Sequence, residues 1–348
     1  MIENIDADVK KFQAMVNDHP KDANAHKDLG LAYSMNSKFK DAVKEFKEAI
    51  RLAPDTEEAH LGLALAYDSL GQNDDALGEY REAVRINPKS VNSRLSLAAS
   101  LMANDMVEDA LLIYEEMLHE EPDNMAVYNG LGLALSSEGY LDDAIEVLRK
   151  ALKKQPKNLD THKLLGDALA ENGELAEAVK EYKEAIAVDP KNAMTLFRLA
   201  NVLADGGDEK EALIQYQQAI YIDPTLVEAH YNMAMLLDHR GDLNEAILEY
   251  GQVTDLDPEF ADAYNRLGID YSRTGRPDLA IAEFGAALKL DPDFAQAHYN
   301  LGMHYFGREQ YDDAITEFEK AIEIDPDYLE AYNSLAIAKD KKDKNANR

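Results

Sequence analysis

The stretch Ala295–Tyr328, AQAHYNLGMHYFGREQYDDAITEFEKAIEIDPDY, decides the fold, because most of the chain before it repeats these 34 residues with variations. Two helical halves are visible in it. Leu301, Tyr305 and Phe306 form an apolar stripe at three- and four-residue spacing, and Ile315, Phe318 and Ile322 form a second. The polar run Arg308-Glu309-Gln310 separates them, and Asp325-Pro326 closes the second half, since proline cannot extend a helix and biases the residue before it away from helical backbone. A lone hairpin of this kind cannot bury both its faces and needs a neighbour on each side.

The neighbours follow from the spacing. Prolines recur every 34 residues at Pro20, Pro54, Pro88, Pro122, Pro156, Pro190, Pro224, Pro258, Pro292 and Pro326, and only Pro277 falls outside the series. Alanine recurs with the same period early in each second half, from Ala42 and Ala76 to Ala280 and Ala314, where a short side chain lets two helices approach. Four residues later comes a large group, such as Phe46, Tyr80, Tyr250 or Phe318, suited to fill the groove between hairpins. Leucine or methionine holds the inner face of each first half, as at Leu29, Leu63, Met233 and Leu301. Gly71, Gly139, Gly173, Gly207, Gly241 and Gly275 stand where the first helix must stop in a left-handed cap.

The pattern resembles the tetratricopeptide repeat (TPR) family: 34 residues, two helices, Leu-Gly then Tyr in the first, Ala then Phe in the second, and Pro at the end. Nine full repeats run from Ala23 to Tyr328 (23–56, 57–90, 91–124, 125–158, 159–192, 193–226, 227–260, 261–294 and 295–328), with a half repeat over 1–22 and a capping helix with a charged tail over 329–348. Where the family usually carries tryptophan, this chain has His26, His60, Arg94, Tyr128, His162, Leu196, His230, Tyr264 and His298. The resemblance implies an all-α fold, a right-handed superhelical solenoid whose first helices line a concave surface and whose second helices form the convex one.

Composition narrows the partners. Sixty-seven acidic residues against 36 basic ones give a net charge of -31, a surface that repels phosphate backbones, so nucleic-acid binding is not expected. The charge keeps the chain soluble and fits a basic partner. Part of it is local, as Asp74-Asp75, Asp142-Asp143 and Asp312-Asp313 open second helices at the positive end of the dipole. No apolar run is long enough to span a membrane, and the absence of cysteine excludes disulfides and thiolate metal sites. The acidic start Met1-Ile2-Glu3-Asn4-Ile5-Asp6 lacks the form of a secretory signal, so a cytoplasmic location is the expectation.

Along the chain, Ile5, Val9, Phe12 and Met15 are in phase with a second helix whose first helix is missing, which reads as a cap or as an edge for self-association. The third repeat drifts furthest: Asp105 replaces the loop glycine, Met117 a packing alanine, and Leu101 and Met102 the usual aromatic, so a softer place in the stack is expected there. At the far end, Leu335 packs back, and the tail Lys341–Arg348 is expected to be disordered.

Repeats six to nine hold the candidate site. The sixth residue of each, which the resemblance places in the concave groove, is Arg198, Asn232, Arg266 and Asn300. One residue earlier stand Phe197, Tyr231, Asn265 and Tyr299, and one turn later Asn201, Met235, Ile269 and Met303. Such residues share a helix face. Asparagine donates to and accepts from a peptide backbone, and arginine grips a carboxylate with two parallel hydrogen bonds, so an extended peptide fits this chemistry. The alternative for Arg198 and Arg266 is pairing with Asp205, Asp238 or Asp262. The clamp by which chaperone adaptors of the family hold C-terminal carboxylates is incomplete, because Lys27 is followed one turn later by Leu31, and Lys163 by Asp167.

No catalytic constellation is present. The five repeat histidines lie one repeat or more apart, too far to share a metal and suited to packing; Asp270 and His304, which replace small residues at equivalent places, are the one titratable pair that stands out. The expected function is a non-catalytic, cofactor-free adaptor that binds a protein or peptide partner through Arg198, Asn201, Tyr231, Asn232, Met235, Asn265, Arg266, Ile269, Tyr299, Asn300 and Met303. The alternatives are a self-assembling scaffold that docks its N-terminal helix into a second copy, and the recognition array of an enzyme such as a glycosyltransferase.

Overall fold

In a computed structural model that describes residues 2–346, with side chains for 7–345, every regular element is an α-helix. The helices form two compact units, 1–188 and 189–348. The first begins with α1 (Ile2–Asp18) and continues as hairpins: α2 (Ala23–Met35) with α3 (Phe39–Leu52), α4 (Glu57–Asp68) with α5 (Asn73–Ile86), α6 (Val91–Ala103) with α7 (Val107–Glu120), α8 (Met125–Ser137) with α9 (Leu141–Lys154), and α10 (Leu159–Glu171) with α11 (Leu175–Val188). The second holds α12 (Ala193–Asp205) with α13 (Glu209–Ile222), α14 (Val227–Arg240) with α15 (Leu243–Leu256), α16 (Ala261–Arg273) with α17 (Pro277–Leu290), α18 (Ala295–Gly307) with α19 (Tyr311–Ile324), and α20 (Leu329–Ala346).

Many helix ends have a local reason. Asp22, Ser90, Asn124, Asn158 and Asn192 cap first helices by accepting a backbone N–H with their side chains. Second helices end two residues before the periodic proline, and the residue between, Ala53, Asn87 or Asp223, has left helical backbone. Pro277, outside the series, sits in the first turn of α17, where its missing N–H has no helical partner to lose.

The turn inside every hairpin passes through left-handed backbone at the same repeat position. Six of the nine hairpins use the expected glycines there, and Ser37, Asp105 and Glu309 adopt it at φ of 54°, 60° and 60°. A Cβ disfavours that conformation, so these three hairpins close under local strain that the packing around them must offset.

Between hairpins, one large side chain per repeat is wedged into the stack. Phe46 of α3 is fully buried, and its ring lies 2.9 Å from where a Cβ would stand on Gly30 of α2 and 2.5 Å from the corresponding point on Gly62 of α4. One ring therefore spaces two successive first helices. In the third repeat Met117 fills the place of a packing alanine and is 2% exposed, joining a core continuous from Ala42 to Ala134.

The repeat histidines are buried, as packing residues should be, and each also joins three chain segments. Nδ1 of His26, His60, His162, His230 and His298 lies 2.5–2.7 Å from a glutamate of the following second helix. Nε2 lies 2.9–3.2 Å from the carbonyl of the periodic proline before the repeat. Both partners accept, so both ring nitrogens donate only when the ring carries two protons.

At the termini, the expectation for the tail changes. α1 turns Val9, Phe12 and Val16 onto Ala25 and Leu29 of α2, so its apolar stripe is covered and Met15 is left at the edge, while the Ile5 side chain lies outside the described residues. The tail, expected to be disordered, is helical through Ala346 as part of α20, and Asn347 and Arg348 lie outside the described residues. Its lysines are tied down, Lys339 to Glu319 at 2.8 Å, Lys342 to Asp312 and Lys344 to Asp340 at 2.6 Å. Alternating charge thus supports helix by pairing rather than dissolving it.

Two outcomes follow. Asp105→Gly relieves the strained turn of the third repeat and raises stability by about 1 kcal/mol in urea unfolding, whereas Gly71→Ala lowers it by a similar amount. For His230, the hydrogen bond to Glu249, opposed by desolvation and aided by the Pro224 carbonyl, raises the pKa above the ordinary histidine value. Its contribution to stability is therefore complete below about pH 6.5 and is lost as pH rises through the raised value. The urea midpoint of the wild type should fall between pH 6 and pH 9 more steeply than that of His230→Gln.

Candidate functional site

The first helices of the second unit, α12, α14, α16 and α18, carry every residue singled out for partner binding. Their fixed 34-residue register brings side chains of successive repeats into bonding range. Two asparagine pairs result. Asn232 Nδ2 on α14 donates to Asn201 Oδ1 on α12 at 3.0 Å, and the Tyr216 hydroxyl of α13 donates to the same oxygen at 2.6 Å. Asn300 Nδ2 on α18 donates to Asn265 Oδ1 on α16, also at 3.0 Å.

Between α12 and α14 lies an open depression of about 510 Å³, lined by Asn201, Asp205, Tyr216, Asn232, Met235 and His239 among others. Met235 and Met303, one turn beyond the sixth-position asparagines, are 38% and 41% exposed. Polar pairs and accessible apolar groups therefore alternate along the same helices. Ile269, at the equivalent place on α16, is partly buried against the Phe284 and Leu301 cluster.

The aromatic residues of the set are committed inward. Tyr231 stacks on Phe260 with ring centroids 4.9 Å apart, and Tyr299 lies against Tyr328 at 5.0 Å. The Tyr231 hydroxyl donates to Asp262 in a very short contact and accepts from Arg266 Nε at 2.8 Å, and the same nitrogen is 2.8 Å from Asp262. Desolvation and the Asp262 carboxylate push the Tyr231 pKa up to about 12, so the phenol stays protonated. Arg266 thus pairs with Asp262, and its side chain is about one-third exposed. Asn265 is 1% exposed and can reach a ligand only through Asn300. Arg198 is half-buried on α12.

Two groups were missed by emphasis on polar residues in the later repeats. In the first unit the ninth residue of repeats one, two and four is Leu31, Leu65 and Leu133, exposed by 43%, 56% and 52%. The same nine-residue count that picks out Asn201 and Met235 finds them, so the signal was in the sequence. The second is the set of Asp238, Asp270, Tyr250 and Arg273 between α14 and α16. His304, the other half of the titratable pair noted in the sequence, packs instead against Phe284 with centroids 5.5 Å apart, and burial followed by the Arg308 charge lowers its pKa.

Among the described residues no cluster of histidine and carboxylate side chains could hold a metal ion. No described helix is long and apolar enough to cross a membrane.

Comparison with known proteins agrees with the geometry. Models described as "Tetratricopeptide repeat" match residues 27–91 and 265–328, and 69–134 and 101–168, and a "TPR repeat" model matches 166–207, 200–237 and 239–275. No curated protein matches the chain by sequence. Among solved structures, the C-terminal part of a TPR repeat-containing protein from Cytophaga hutchinsonii superposes with a TM-score of 0.60 at 14% identity, over 69% of this chain and 99% of that one. The Cut9–Hcn1 hetero-tetramer of the APC/C gives 0.50 at 16% identity, over 94% and 80%. YrrB, described as a TPR protein with an unusual peptide-binding site, gives 0.49 at 24%, over 55% and 98%. At these identities the likeness is one of fold.

The bond between the repeat-eight and repeat-nine asparagines can be measured. A double-mutant cycle of Asn265→Ala and Asn300→Ala, followed by urea unfolding, should give a coupling of about 1 kcal/mol, the usual net value of a hydrogen bond in such surroundings.

Proposed function

The chain belongs to the tetratricopeptide repeat family, and on that footing we propose that it is a non-catalytic adaptor holding an extended segment of a partner protein along α12, α14, α16 and α18. The observation that carries the reading is the pair Asn201 and Asn232, joined at 3.0 Å beside the depression between α12 and α14. An amide side chain has both donor and acceptor capacity, and fixing one by the other aims the remaining groups at a passing backbone. Met235 and Met303 supply accessible, adaptable apolar contact on either side, which favours side-chain tolerance over strict selection.

Arginine enters differently from the asparagines. Arg266 is oriented by Asp262 and Tyr231, so a carboxylate of the partner meets a guanidinium that is already held in place, and less side-chain freedom is lost on binding. Arg198, Tyr231, Asn265, Ile269, Tyr299 and Asn300 complete the binding surface, the aromatics by shaping its wall. The net charge of -31 favours a partner segment carrying basic residues and speeds its encounter at low salt. Docking of α1 into a second copy has less support, because Val9, Phe12 and Val16 are used against α2.

Panning the full chain against a random peptide library tests the reading. Selected peptides should bind the wild type, and the double variant Asn201→Ala, Asn232→Ala should bind them about tenfold or more weakly, the loss of one to two hydrogen bonds. Leu248→Ala, an exposed change on α15, serves as the control and should leave affinity unchanged. Equal affinity for both proteins, or loss with the control instead, would place the binding surface elsewhere.

A further inference from the structure

In the seam between α14 and α16, a carboxylate stands where the fold elsewhere uses alanine. Asp270 is the tenth residue of its repeat, and Ala32, Ala66, Ala134 and Ala168 hold that place in four others. It is fully buried, no N–H or hydroxyl donates to its oxygens, and the only side chain placed to share its proton is the carboxylate of Asp238. Burial and the nearby Asp238 charge, opposed by Arg273 and Arg266, push its pKa up to about 7. A carboxylate buried without a hydrogen bond destabilises the fold, and alanine at this position would not.

Its surroundings have been rearranged as well. In the second repeat, the Tyr80 hydroxyl of α5 donates to Asp68 of α4 at 2.6 Å. The equivalent residues on α15 and α14 are Tyr250 and Asp238, yet the buried Tyr250 hydroxyl has no partner. Asp238 is instead turned to Arg273, whose guanidinium contacts it closely and lies 3.5 Å from Asp270. Two carboxylates from two helices, with a buried phenol beside them, thus converge on one cation. The charged and titratable groups facing Asp270 are Asp238 from α14, and Arg266 and Arg273 from α16, with Tyr250 from α15 alongside.

The geometry points to an anchor pocket in which Asp238, Asp270 and Tyr250 take one guanidinium or ammonium group of the bound segment, with Arg273 as the chain's own occupant, displaced when the segment arrives. Asp238 is 22% exposed and Arg273 46% exposed on their side chains, so the exchange begins from solvent at Arg273 and needs movement of a single arginine. The natural ligand assigned here rests on the adaptor reading above; the chemistry of the pocket does not. In wild type one cation replaces another and the charge facing Asp270 is conserved; with Arg273→Gln the site holds no such cation, and there a cation entering between the carboxyls releases the Asp270 proton, so binding to that variant tightens as pH rises.

The probe is N-acetyl-arginine methylamide, with the uncharged citrulline analogue beside it, titrated into the full chain while carbon-13 signals of the Asp238 and Asp270 carboxyls are followed by NMR. The arginine probe should shift both signals saturably and the citrulline probe should not. In Arg273→Gln, affinity should rise from pH 6 to pH 8. Arg273→Gln should strengthen binding by emptying the pocket. Asp270→Ala restores the residue that other repeats carry, should raise the thermal midpoint, and should abolish the saturable binding. Unsaturable shifts, equal response to citrulline, pH-independent affinity of Arg273→Gln, or unchanged affinity in Asp270→Ala would each overturn the assignment. Probe binding without any peptide selected by panning would instead leave the pocket standing and remove the adaptor reading.

Discussion

Within each unit, a large side chain wedged between the first helices of neighbouring hairpins sets the spacing on which the rest depends. Phe46 between Gly30 and Gly62 is the clearest case, and Tyr114 meets Gly130 of the following repeat in the same way. The hairpin cannot be stable alone because it has two apolar faces, so each wedge is satisfied only when the neighbour is present. Since the wedge controls how closely successive first helices approach, it also controls the surface they present. Asn201 bonds Asn232 and Asn265 bonds Asn300 because packing on the opposite side of those helices fixes their register.

Most of the fold could be read in the sequence because its signals are local. Proline at a fixed interval ends every second helix, and glycine at the same interval turns six of the nine first helices out of their course. The turns at Ser37, Asp105 and Glu309 show where such reading stops: a residue without the left-handed preference adopts that backbone because the two flanking helices leave it no other path. The tail shows the same limit. Lys339 and Lys342 look like a solvated charge run, yet acidic residues of α19, distant in sequence, hold them in helix. The histidines were rightly read as packing residues, while their bonds to glutamate and to a proline carbonyl depend on how three segments meet and leave no mark in composition.

Repeat position located the candidate site but did not assign its roles. Counting to the sixth and ninth residues selects side chains on α12, α14, α16 and α18 and would have selected the exposed Leu31, Leu65 and Leu133 as well. The pairing of Arg266 with Asp262 and Tyr231, and the convergence of Asp238, Asp270 and Arg273, arise between side chains on adjacent helices, where a difference of one rotamer decides the partner. The places where the sequence departs from its own average are therefore informative in a particular way. Asp270 breaks the rule for a buried position and gains no hydrogen bond by doing so, as expected of a residue kept for its chemistry.

The central claim is that a partner segment lies along the first helices of the second unit. Brief oxidation of the free and the peptide-bound chain, with methionine sulfoxide located by mass spectrometry, tests it directly, because the methionines are distributed in the needed way. Met235 and Met303 lie on α14 and α18 with more than a third of their surface open, and Met35, 69% exposed at the end of α2, is the internal reference. The account predicts that a bound segment slows oxidation of Met235 and Met303 and leaves Met35 unchanged. Protection of Met35 alone, or no protection at Met235 and Met303 with the segment saturating, would contradict it.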